Sequence, residues 1–315
     1  MDSPSSFNVD ILAAMESVTY SAASDAGAPL GFDLDGVCVC PGPPSCKSIP
    51  PVQTHCDLPG GRDISGNNFL DLFETFLHVS GQGDINSSIA AGKLGLIIYI
   101  TDYNAAENDT QVGLAAFVSS GILTDPDGGS PIPPKWDGND VWDIDPRSTG
   151  GVKETADGGF IYLPKFITTM GYVANRTLVA ELSRIDLGLG AGTLSMTGAV
   201  FTASIVSDTS GGYRLQGQLA GRASTASILT SAAAFRDPID KTKFLCGDDP
   251  TIQTYRKQIC GAADLATDPA MDGKGAVCDA ISMAIGFTAL SAQLGVPAET
   301  LQPVLGCDGS VQLCP

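Results

Sequence analysis

Two aspartates two residues apart and followed by a glycine, Asp33-Leu-Asp35-Gly36, point more directly to chemistry than any other spacing in this chain. Hard carboxylate oxygens at alternating positions, then a residue that lets the chain turn, are how a calcium loop begins. The pattern then leaves the EF-hand. With Asp33 as the first position, the fifth is Val37 and the twelfth Pro44, so the third oxygen and the bidentate glutamate are missing. Asp57 and Asp63, with Asn67 or Asn68, could complete a shell if the loop folds back on itself. Four carboxylates in one small loop repel one another without a cation. The expectation is a Ca2+ site at Asp33, Asp35, Asp57 and Asp63; the alternative is that these residues cap turns through their own side chains.

Two other clusters have ligand-binding composition. Trp136-Asp137-Gly-Asn-Asp140-Val-Trp142-Asp-Ile-Asp145 holds both tryptophans of the chain and four carboxylates. An aromatic ring packs on the apolar face of a sugar while carboxylates accept from its hydroxyls, so Trp136, Asp137, Asp140 and Trp142 are candidates for glycan binding. A surface strand with one core Trp has the same composition. A pair of these acids could also serve a glycosidase, which needs two carboxyls at a set separation in space. Asp102 and Asn104, in the loop Asp102-Tyr-Asn-Ala-Ala-Glu-Asn-Asp109, could hold a cation or a sugar, or simply form a polar turn.

Other catalytic patterns are missing: no Gly-x-Ser-x-Gly elbow, no His-Glu-x-x-His, no phosphate loop and no dinucleotide fingerprint. The two histidines, His55 and His78, neighbour no nucleophile signal and read as structural or solvated. No catalytic residue is assigned.

These clusters sit in a chain of 315 residues whose apolar share of 43% suffices for a sizeable core. Nine cysteines are therefore informative by position. Cys38, Cys40, Cys46 and Cys56 lie near the start, Cys246, Cys260, Cys278, Cys307 and Cys314 near the end, and none lies between. Such clustering implies disulfides that pin irregular flanks onto a core, and hence an oxidising compartment. The spacing lacks the paired Cys-x2-Cys of a structural zinc site. The odd total leaves one thiol over, expected at Cys314 unless it closes a short loop to Cys307. With 35 acidic against 17 basic residues, the net charge of −18 repels nucleic acid and anionic lipid surfaces. No apolar run is long enough for a transmembrane segment. The start, Met1-Asp-Ser-Pro-Ser-Ser6, reads as a mature form with an added Met; a lipid anchor would need a cysteine that is not visible there.

The elements that must position these residues follow from periodicity. Residues 68–79 place Phe69, Leu70, Phe73, Phe76 and Leu77 on one face of an amphipathic helix, and a short helix over 85–91 stops at Gly92. Strands are predicted over 94–101, 112–119, 160–163, 177–182, 192–206 and 213–221. Helices return over 223–235, from Pro250 to about 263, and over 275–295, where Val277, Ile281, Ala284 and Ile285 form a stripe. Strands without alternating helices argue for a mainly β fold, an antiparallel β-sandwich of jelly-roll type. The chain divides into an N-terminal extension (1–30), a Cys/Asp-rich module with its helix (31–92), the sandwich (93–222) and a disulfide-linked helical cap (223–315).

The runs Gly31-Phe-Asp-Leu-Asp-Gly-Val-Cys-Val-Cys-Pro41, Cys56-Asp-Leu-Pro-Gly-Gly-Arg-Asp63, Trp136-Asp-Gly-Asn-Asp-Val-Trp142 and Ile259-Cys-Gly-Ala-Ala-Asp264, with the loop at Tyr103-Asn104, together resemble uncharacterised cysteine-rich secreted proteins or predicted lipoproteins of Gram-negative bacteria. That resemblance implies export and offers no catalytic residues. The expected function is that of an exported, calcium-stabilised binding protein at the cell surface or beyond, with a glycan or surface partner. The alternatives are an extracellular carboxylate-dependent polysaccharide hydrolase and a structural surface protein.

Overall fold

Strands with every second residue apolar can hide that face between two sheets or inside one sheet closed on itself. This chain closes. The computed structural model describes residues 8–19, 30–38, 44–48, 62–63, 81–123, 130–155, 159–189, 192–207, 211–234, 236–237, 240, 242–245, 250–298 and 311–314. Among them are twelve strands: β1 (Val9–Thr19), β2 (Gly95–Tyr103), β3 (Asp109–Gly121), β4 (Val141–Ile144), β5 (Thr149–Glu154), β6 (Phe160–Pro164), β7 (Phe166–Ala174), β8 (Thr177–Leu189), β9 (Gly192–Ser207), β10 (Tyr213–Ser224), β11 (Ala280–Ser291) and β12 (Gln293–Pro297). Three helices accompany them: α1 (Gly81–Ala90), α2 (Thr225–Ala232) and α3 (Pro250–Gly261).

Eight antiparallel strands run in the order β3-β2-β1-β11-β10-β9-β8-β7, and β7 returns to pair with β3. The expected jelly-roll sandwich is therefore corrected to a closed eight-stranded barrel. The reason lies in three barrel strands that periodicity did not single out, of which β7 makes the closing pairs with β3. β1, expected as part of a loose extension, pairs with β2 on one edge and with β11 on the other. β11 occupies the segment expected as a helix over 275–295. Its residues 280–291 are buried on both faces, so a near-continuous apolar run fits a period of 2 and of 3.6 equally. Among the described residues, the cap expected over 223–315 is thus α-helical only in α2 and α3. The helix expected over 68–79 lies outside the described residues.

The barrel interior is filled by side chains, as its strand number allows. Ile11, Ile98, Leu114, Leu178, Leu215 and Leu219 are all fully buried, and Phe201 and Phe287 stack at 5.0 Å between centroids. Charged residues such as Asp10, Glu181 and Arg214 face outward. This is the reverse of a barrel that spans a bilayer. No helix among the described residues is long and apolar enough to cross a membrane.

Outside the barrel, Arg222 on β10 ties several segments together. Its guanidinium is 1% exposed, binds both carboxylate oxygens of Asp272, and donates to the carbonyls of Ala266 and Leu34. Cys46 is bonded to Cys278 and Cys260 to Cys314. Cys314 is therefore not the leftover thiol: the chain end lies against α3, bringing its Cα within 5.6 Å of that of Cys260. Cys38, expected in a disulfide, is an exposed free thiol. Cys40, Cys56, Cys246 and Cys307 lie outside the described residues.

Candidate functional site

In a closed barrel the outward residues of each strand need water or a cover. Leu12, Tyr99, Ala115 and Ile167 are direct cross-strand neighbours on β1, β2, β3 and β7, and they form one apolar row across the outer wall. Cover comes only in part. α1 packs on β1, where the Asn86 amide accepts from and donates to the backbone of Val18. Gly92 ends α1 with φ +67°, and the chain passes so close that a Cβ there would meet the Ile132 carbonyl oxygen at 1.9 Å. β4 extends the sheet beyond β3, and β12 pairs with β4 in parallel. The β5–β6 hairpin stands beside them.

Between these pieces the row is left as the floor of an open cleft of about 1150 Å³. Ile132, Val141, Phe160, Ile161, Leu163 and Val296 are among its walls. These are large apolar side chains left more than two-fifths exposed, and Phe160 reaches 61%. Polar groups are few. Lys135, Asn139 and Asp140 also line the cleft, together with Asp143, whose side chain is buried. The floor stays uncharged: burial and the hydrogen bond that the Tyr99 hydroxyl donates to Asp10 push its phenol up to about 12. Such a cleft binds apolar surface with little polar selection. Sequence reading identified Phe160–Leu163 as a strand, but strand pairing alone reveals which outward residues form the row.

The structure places the sequence candidates differently from one another. Trp142 is fully buried against the outer wall: a Cβ on Gly95 would sit 2.9 Å from its ring, and Trp136 packs on it at 5.6 Å. Trp142 has no face free for a sugar, and its indole Nε1 has no partner among the described residues. The Asp140 carboxylate accepts the backbone N–H groups of Lys135 and Trp136, and Asp137 accepts that of Asn139. These are turn-forming bonds, and they hold Trp136 at φ +57°. Asp145 is gripped by the Arg147 guanidinium and caps the turn at Pro146–Ser148. The acids considered for hydrolysis are thus committed to local structure or, in Asp143, buried. Asp102 and Asn104 meet Asp109, Gln111 and Thr169 around a polar hollow of about 380 Å³.

Asp33, Asp35 and Asp63 come together, each offering an oxygen within 4.8 Å of the others. Asp57 lies outside the described residues. The loop is held by its own side chains: Asp33 accepts from the Gly36 amide, Asp35 from that of Val37, and Asp63 from that of Leu34. The second oxygen of Asp35 is buried without a hydrogen-bond partner among the described residues. A buried, unmet carboxylate oxygen in this acidic trio suits a hard cation.

Comparison with protein-family models, curated proteins and solved structures finds no match to this chain. Its function is argued from its own geometry.

The buried acid of the cleft has a testable consequence. Burial pushes the Asp143 carboxyl up from its ordinary value of 3.8, and the N–H groups of Val296 and Leu123 pull it partly back. A carboxyl raised in the folded state contributes stability that is complete below its unfolded value and is lost as pH rises through the folded one. Asp143→Asn is expected to melt at a higher temperature than the parent at neutral pH, the gap closing as pH falls toward 3.8. A melting series in which the variant is the less stable at neutral pH would contradict this account of the residue.

Proposed function

We propose that this is an exported binding protein whose ligand is an apolar or amphiphilic small molecule of the acyl-chain type, taken into the cleft between the barrel wall, β12 and the β5–β6 hairpin. One observation carries this reading: an open volume of about 1150 Å³ floored by the Leu12-Tyr99-Ala115-Ile167 row and walled by exposed aliphatic and aromatic side chains. Monomeric soluble proteins rarely expose apolar surface so contiguously unless it is used. The same lining disfavours a polysaccharide, which would need polar groups along the cleft where this one has aliphatic walls. Two disulfides are compatible with export.

The experiment is displacement of the dye anilinonaphthalene sulfonate by palmitate. Dye and fatty acid are expected to compete. Val141→Asp and Val296→Asp, both on exposed wall positions where folding is tolerant, are expected to weaken binding about tenfold each, the worth of burying one such side chain. Affinity unchanged in both variants would remove the cleft from consideration.

We propose further that Asp33, Asp35 and Asp63 hold a structural Ca2+, supported by the unmet oxygen of Asp35. The site would brace the loop whose Leu34 carbonyl Arg222 holds against the barrel. Calcium is expected to raise the melting temperature of the parent and not of Asp35→Asn; a parent insensitive to both calcium and chelator would refute the site.

A further inference from the structure

We propose that the β5–β6 hairpin docks on the surface of an anionic phospholipid bilayer, laying its apolar side chains into the headgroup boundary beside the cleft. That such docking serves ligand exchange rests on the apolar-ligand reading; the docking itself does not.

The first observation is that the ribbon is apolar on both faces. Facing pairs share a face in an antiparallel ribbon. Val152 with Tyr162 and Glu154 with Phe160 lie on one side, Lys153 with Ile161 and Gly151 with Leu163 on the other. Only one face of such a ribbon can turn to the barrel, yet Val152, Phe160, Ile161 and Leu163 are all exposed. The ribbon is about 20 Å long, ample for the shallow burial of an interfacial element.

The second observation is where the charge lies. The chain as a whole is acidic, but at the base of the hairpin each ion pair turns its carboxylate inward and its cation outward. The Asp145 side chain is 3% exposed and that of its partner Arg147 46%. Asp186 is 12% exposed beneath Lys165 and Arg184, which are about half exposed. Lys153 is exposed on the ribbon itself, and Glu154 is the acid among its described residues. Cations around an apolar ribbon complement a surface of phosphates, where apolar burial and electrostatic attraction add. A second copy of the chain is the poorer occupant, since it would bring the same cations to meet these.

The test is co-flotation with vesicles of phosphatidylcholine, with and without phosphatidylglycerol. The protein is expected to float with the mixed vesicles, less with phosphatidylcholine alone, and less as salt is raised. Val152→Asp, which lies outside the cleft, is expected to cut flotation about tenfold with dye affinity unchanged, and Lys153→Glu to weaken it on anionic vesicles only. No flotation with either vesicle would overturn the proposal. So would flotation that both variants leave intact, or a dimer in gel filtration that Val152→Asp disperses. Flotation without palmitate binding would leave docking standing and overturn the cleft reading; palmitate binding without flotation would do the opposite.

Discussion

Everything in this protein depends on the pairing of β1 with β11. The first described strand meets the last strand of the barrel from Ala13 opposite Ser291 to Thr19 opposite Gly286, with one bulge between Met15 and Ser17, across most of the chain's length. Loop closure over such a separation is costly in entropy, and the return is an inner face with no sheet edge. Once that seam and the β3–β7 seam are made, Ile11, Ile98, Phe201 and Phe287 are dry, and the outward residues of the same strands have to be dealt with separately. Where cover is complete the fold gains ties: Arg222 on the outer face of β10 gathers Asp272, Ala266 and Leu34, and Ser282 beside it donates to Asp264. Where cover is partial, the cleft is what remains.

The cleft and the acidic loop thus belong to different parts of one problem. The loop carrying Asp33 and Asp35 lies on the covered β10–β11 side, where Arg222 holds the Leu34 carbonyl, and the Ca2+ proposed there would serve stability. The uncovered side, over β1, β2, β3 and β7, leaves the apolar surface to which the proposed ligand would bind. The tryptophan pair sits at the border. Trp142 fills the space over Gly95 and Trp136, half-buried, packs against it, so of the two aromatic candidates Trp142 is taken up by packing.

What could be read from sequence divides along the same physical line. β9 alternates cleanly because one face meets the core and the other meets water, and its span was legible; β8 was legible only over 177–182, and β10 loses its alternation over 219–223, where both faces are buried. β1 and β11 were not, because both of their faces are covered: Ala13, Ala14 and Met15 are consecutive and all buried, as are 280–284, and a run apolar on every residue has no diagnostic period. Missing those two strands, and β7 with its pairing to β3, turned a closed barrel into a sandwich. The proximity of Asp33 and Asp35 was legible from their spacing, whereas that of Asp63 had to be guessed from composition and depends on the loop folding back. Net charge is a coarse guide to any one patch. A total of −18 describes the chain, but the surface at the hairpin base is set by which partner of each ion pair is buried, and that is a property of packing alone.

The cleft is the central claim, and isoleucine methyl groups report on it directly because they lie on both sides of the barrel wall. Ile122, Ile132, Ile161 and Ile167 line the cleft, while Ile11, Ile98 and Ile100 are buried inside the barrel. In a methyl NMR titration with palmitate, shifts confined to the first group, with the second unmoved, are the expected result. Shifts at the interior group, or none at either, would contradict an outer-wall binding site.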